Sequence, residues 1–121
     1  MNQPIPTFLL RVLFALPFMF FGALHFMNAG QMKGLVPSYF LGGGDLWVYI
    51  TGIIFILTAV AFIINKYAKA AGYLLAFVLL VFILTIHLPA LIRGNQMAMS
   101  GLLKDFALMA ASMFIANFSA R

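Results

Sequence analysis

His25 and His87 are the two histidines of the chain, and each stands within an apolar run, about one helical turn from its end. An imidazole in that setting can hydrogen-bond, move a proton or ligate a metal. Asp105, one of two acidic residues, follows Lys104 early in the fourth apolar run, where a carboxylate can orient an imidazole or relay a proton. Trp47, Tyr49 and Thr51 stand at the start of the second run. A pocket made of His25, His87, Asp105, Lys104, Trp47, Tyr49 and Thr51 suits a quinone, whose head group needs hydrogen bonds at two carbonyls and an apolar approach. Both imidazoles are expected to donate those bonds. Axial haem ligation by the two histidines ranks lower, because a histidine pair is only the minimum requirement. Zinc on His25, His87 and Asp105 falls one ligand short of the usual four, so no metal is assigned. The plainer alternatives are interfacial belt residues for Trp47 and Tyr49 and hydrogen-bonded core for the histidines.

These side chains need elements to carry them, and composition decides which. Of 121 residues, 65% are hydrophobic and 7% charged, too few charges to clothe a soluble domain. The net charge of +5 comes from basic residues scattered singly, not from the clustered face that nucleic acid requires. No cysteine is present, which removes disulfides and thiolate metal sites. Four apolar segments, at residues 8–26, 46–64, 70–92 and 98–118, approach the roughly 20 helical residues that cross a hydrocarbon core. Open strands are excluded in lipid, and four spans cannot close a barrel. The expectation is a single all-α transmembrane domain over residues 1–121, an integral membrane four-helix up-down bundle. The run after Arg11 is too long for a cleaved signal and reads as a retained first span.

Polar and small residues fall at helical spacing on one face of each span. The stripes are Arg11, Ala15, Phe18, Gly22, His25; Trp47, Thr51, Ile54, Thr58, Ala61, Asn65; Tyr73, Phe77, Leu80, Leu84, His87; and Asp105, Leu108, Ser112, Ile115, Ser119. These faces are expected to point inward, with Gly22 and Gly52 at close helix contacts. Pro89 removes an intrahelical hydrogen bond beside His87 and is expected to bend the third span there. The short connection 65–69 carries Lys66 and Lys69, which with Arg11 and Arg121 outnumber Lys33, Arg93 and Lys104 on the other side. The positive-inside rule then puts both termini in the cytoplasm and the candidate pocket at the extracytoplasmic mouth. The long connection 28–45 is either a lid over that mouth or a plain connector.

The succession Arg11, Gly22-Ala-Leu-His25-Phe26, Val36-Pro37, Trp47-Val-Tyr-Ile-Thr-Gly52 and Lys104-Asp-Phe-Ala-Leu108 resembles the DoxX family of small four-helix membrane proteins over nearly the whole chain. Many members carry a lysine where His25 stands. The resemblance implies a bacterial inner-membrane protein. The family includes relatives of the small subunit of a thiosulfate:quinone oxidoreductase and is related to a vertebrate membrane chaperone. The leading expectation is a redox-linked accessory or quinone-handling subunit, working in the lipid bilayer beside a membrane or redox partner and without nucleic acid. The alternatives are a non-enzymatic membrane assembly or chaperone partner, and a small-molecule binder or transporter. Whether the chain is an enzyme is left open by the residues alone.

Overall fold

The computed structural model describes residues 5–119, so Arg121, one of the charges behind the orientation argument, lies outside the described residues. Among the described residues, four helices are long and apolar enough to cross a membrane: α1 (Thr7–Met27), α2 (Gly44–Ile64), α3 (Ala68–Ile92) and α4 (Met97–Asn117). No strand occurs among the described residues. Because α4 begins at Met97, Asp105 stands about two turns inside that helix rather than at its solvated start.

The contacts order the helices into two close pairs. Along α1 and α2, Arg11 meets Phe62, Phe18 meets Phe55, and Gly22 meets Gly52. The numbers rise on one helix as they fall on the other, so the two run antiparallel. A Cβ at Gly22 would lie 2.8 Å from the Gly52 carbonyl oxygen, so the two backbones touch where the sequence puts its glycines. Along α3 and α4, Gly72 lies against Ser112 and Ala116, and His87 against Gly101 and Asp105, again antiparallel. The Ser112 hydroxyl donates to the Gly72 carbonyl at 2.7 Å, a bond that the missing side chain at position 72 makes room for. Tyr73 and Asn117 share a side-chain hydrogen bond at the end of the same pair.

The inward face of α1 is Arg11, Ala15, Phe18, Gly22 and His25, the stripe read from the sequence. On α4 the buried Asp105 and Ser112 also lie on theirs. The middle helices differ. The buried residues of α2 are Val48, Gly52, Phe55, Thr58, Ala59 and Phe62, so of the expected stripe only Thr58 belongs to this face. On α3 the buried face runs through Gly72, Leu75, Ala76 and Leu79, while the expected Tyr73, Phe77 and Leu84 are exposed. These two helices are the most apolar of the four, with mean hydropathies of 2.5 and 2.7, and too few polar residues remain on them to mark a phase.

Arg11 is buried as its place on the α1 stripe requires, and its Nε donates to the Phe62 carbonyl at 3.1 Å. That carbonyl lies in the last turn of α2, where acceptors lack intrahelical partners and the helix dipole favours a cation. Outward-facing Phe20, Leu57, Leu84 and Phe114 are each more than half exposed and leave the exterior apolar.

Candidate functional site

A cavity of about 480 Å³ opens between the helices, and both histidines line it. Its walls are largely aromatic and aliphatic, Phe18, Phe55 and Phe82 among them. The ring pairs Phe18–Phe55 and Phe55–Phe82 meet edge to face, at 5.4 Å and 6.0 Å, an arrangement that suits the aromatic quadrupole.

His25 occupies the last turn of α1. Its Nδ1 lies 2.6 Å from the carbonyl of Phe21, and a carbonyl only accepts, so Nδ1 carries the proton. The ring stands edge-on to Phe55 at 5.1 Å. Gly52 makes the approach possible, since a Cβ there would come within 3.0 Å of the His25 Cβ.

His87 is positioned by a different device. The backbone over Ile83–His87 forms a wide π turn immediately before Pro89. The proline lacks the N–H that a regular helix would direct at the Thr85 carbonyl, and the wide turn falls where that hydrogen bond is missing. From it the His87 Nε2 reaches Asp105 Oδ2 at 2.7 Å. The carboxylate is buried, while the imidazole side chain keeps 21% of its surface open. Gly101 gives the ring its space: a Cβ there would lie 2.7 Å from Cε1 and 2.8 Å from Nδ1. The other carboxylate oxygen faces Lys104 Nζ at 3.9 Å, and Lys104 is itself largely exposed. Asp105 therefore pairs with His87, whereas His25 is held by its own helix.

Trp47, Thr51 and Lys104 also line the cavity. The stripe on α2 that does not face α1 thus faces this space, with Ile54 beside it. Tyr49 does not line it; it stacks on Phe26 at 5.6 Å on the exposed side of α2. The connection between α1 and α2 forms part of the wall through Met32, Leu35, Val36, Pro37 and Phe40. It is tied down by the Trp47 indole N–H, which donates to the Leu41 carbonyl at 2.5 Å, and by Phe40 packed edge-on to Trp47. Gly42 and Gly43, at φ +90° and +86°, turn the chain into α2 through a region that glycine adopts without strain. The loop therefore contributes to the cavity wall.

Thr85 is a polar wall residue that the sequence stripes omit; its place two residues before His87 was the available signal. The aromatic wall residues carry no such signal, since an apolar side chain facing a cavity resembles one facing lipid. Among the described residues, no group of three or more His, Cys, Asp or Glu side chains gathers to hold a metal ion.

A family model described as a domain of unknown function, DUF8561, matches residues 14–110. No curated protein and no solved structure matches the chain.

Proposed function

The chain belongs to the DUF8561 family, and from that premise we propose that it is a multi-pass, up-down membrane bundle that holds a quinone-class amphiphile, oxidised or reduced, in the cavity between its helices. The observation that carries this reading is the composition of the cavity. An imidazole–carboxylate pair from α3 and α4 and a second imidazole from α1 stand on a largely apolar wall. Ligand sites are typically apolar clefts with a few placed polar groups, and about 300–1,000 Å³ is the usual size. A planar head group hydrogen-bonded at opposite ends, with a tail leading toward lipid, meets both requirements. The apolar exterior supports a bilayer as the surroundings, because exposed large apolar side chains on every long helix have no favourable place in water. The resemblance to the DoxX family supports a bacterial inner membrane and a redox-linked accessory role.

Trp47 is the only tryptophan and lines the cavity, so it reports on occupancy. Titrating the purified full chain with decyl-benzoquinone, or with decyl-hydroquinone under anaerobic conditions, is expected to change Trp47 fluorescence saturably. His87→Ala is expected to weaken binding by about tenfold, the worth of roughly 1.4 kcal/mol. A response to either compound that only follows its partition into detergent, unchanged by His87→Ala, would remove this reading.

The orientation is tested separately. Lys66 and Lys69 at the α2–α3 connection, with Arg11 at the same end, support cytoplasmic termini. A phosphatase fused to the C-terminus is expected to be inactive and a fluorescent protein there bright. The opposite pattern would turn the cavity mouth toward the cytoplasm.

A further inference from the structure

The polar groups of the cavity have a polarity of their own, visible once each proton is traced. The polar side chains on the wall are His25, Trp47, Thr51, Thr85, His87 and the neighbours Lys104 and Asp105. The Trp47 indole N–H donates to the Leu41 carbonyl. The Thr51 hydroxyl donates to the Trp47 carbonyl at 2.8 Å, and the Thr85 hydroxyl to the Val81 carbonyl at 2.6 Å. His25 Nδ1–H donates to the Phe21 carbonyl, and His87 Nε2–H to the Asp105 carboxylate. Each of these protons is committed within the protein. With both rings neutral, what remains on these groups is acceptor capacity: the lone pairs of His25 Nε2 and His87 Nδ1, the hydroxyl oxygens of Thr51 and Thr85, and the second oxygen of Asp105. Lys104 alone keeps protons to give, and it sits at the exposed edge beside Asp105.

Resting on the reading that the cavity holds a quinone-class amphiphile, we propose that its ligand is the hydrogen-bond donor of that class, a hydroquinone or an equivalent neutral hydroxyl head, and not the acceptor-only quinone. A quinone carbonyl placed against the His25 lone pair would leave two acceptors facing each other in an apolar enclosure, and each would lose its hydration without a partner. A hydroxyl in the same place satisfies both. This reverses the expectation that the imidazoles donate to the ligand: their protons point into the protein. A cationic head would also donate, but the cavity's single carboxylate already faces both His87 and Lys104, so a further positive charge would enter beside an ammonium. The neutral head is the better fit.

The test is anaerobic calorimetric titration of the full chain in lipid nanodiscs with decyl-hydroquinone, decyl-benzoquinone, the dimethyl ether of the hydroquinone, and decylammonium. The hydroquinone is expected to bind at least about tenfold more tightly than the quinone or the ether, because a site built to pair a hydroxyl rejects analogues that lack one. His25→Phe keeps an aromatic ring against Phe55 and is expected to bring the hydroquinone-to-quinone ratio down toward one. Thr51→Val is expected to lower the same ratio and serves if the first variant does not fold. Equal affinities for hydroquinone and quinone, or tightest binding by decylammonium, would overturn the donor assignment while leaving the cavity as the ligand site. Saturation by none of the probes would overturn both.

Discussion

Gly22→Leu and Gly72→Leu are each expected to lower the thermal midpoint of the detergent-solubilised protein far more than the same exchange at Gly30 or Gly34. A Cβ at Gly22 would fall 2.5 Å from Ile56 Cγ1 and 2.8 Å from the Gly52 carbonyl oxygen. The isoleucine can rotate away, but the carbonyl belongs to the backbone of α2 and moves only if the helices separate. At Gly72 the obstacles are the Ala116 Cβ at 2.6 Å and the Ser112 carbonyl oxygen at 3.0 Å. Separation there would also stretch the Ser112 hydroxyl bond to the Gly72 carbonyl. Overpacking of this kind costs about 1–3 kcal/mol, and more when backbone must shift. Gly30 and Gly34 supply the control, since a Cβ at either meets nothing within 4 Å. Should Gly22→Leu and Gly72→Leu melt together with Gly30→Leu, the two close helix pairs are not what holds the fold.

The second large effect is expected at Asp105. Asp105→Leu leaves the His87 Nε2–H without its acceptor and replaces a buried carboxylate with an aliphatic group. Breaking a fully buried ion pair costs about 3–5 kcal/mol, whereas losing one partner of an ordinary buried hydrogen bond costs about 1–3 kcal/mol. The 21% exposure of the His87 side chain lets water take part of the lost bond, so the lower range applies to stability. Ligand binding is expected to suffer more than stability, because the ring is then free to leave the geometry that the carboxylate imposes. Gly101→Ala approaches the same contact from the opposite side. Its methyl would meet the ring at Cε1 and Nδ1 and tilt it off Asp105 while leaving the carboxylate in place. Both variants are expected to lose affinity for decyl-hydroquinone in parallel, with a smaller loss of stability in Gly101→Ala. Full binding in either variant would show that the imidazole–carboxylate pair is scaffold alone.

How far the sequence could be read depended on where polar residues happen to stand. On α1 an arginine, a glycine and a histidine at helical spacing mark the buried face, because each is costly or wasteful against lipid. On α4 Asp105 and Ser112 do the same. Helix α2 presents two inward faces, one of small and aromatic residues to α1 and one with Trp47 and Thr51 to the cavity. A stripe drawn through polar residues finds only the second. On α3, Tyr73 misled the phase. Its hydroxyl bonds Asn117 at the end of the helix pair while its ring stays largely exposed, so its polarity marks an edge and not an interior. The candidate site was legible in its ionisable members, each of which is expensive to bury. Tyr49 was drawn in only by its closeness in sequence to Trp47. Phe55 and Phe82 on the wall were not legible, because nothing in an apolar side chain's chemistry distinguishes a cavity from the bilayer.

The wide turn at Ile83–His87 also decides which side chain meets Asp105. A turn of this kind holds one residue more than a regular helical turn. Deleting a single residue from this stretch would let the helix run regularly, turn its first part relative to its last, and set a different side chain opposite Asp105.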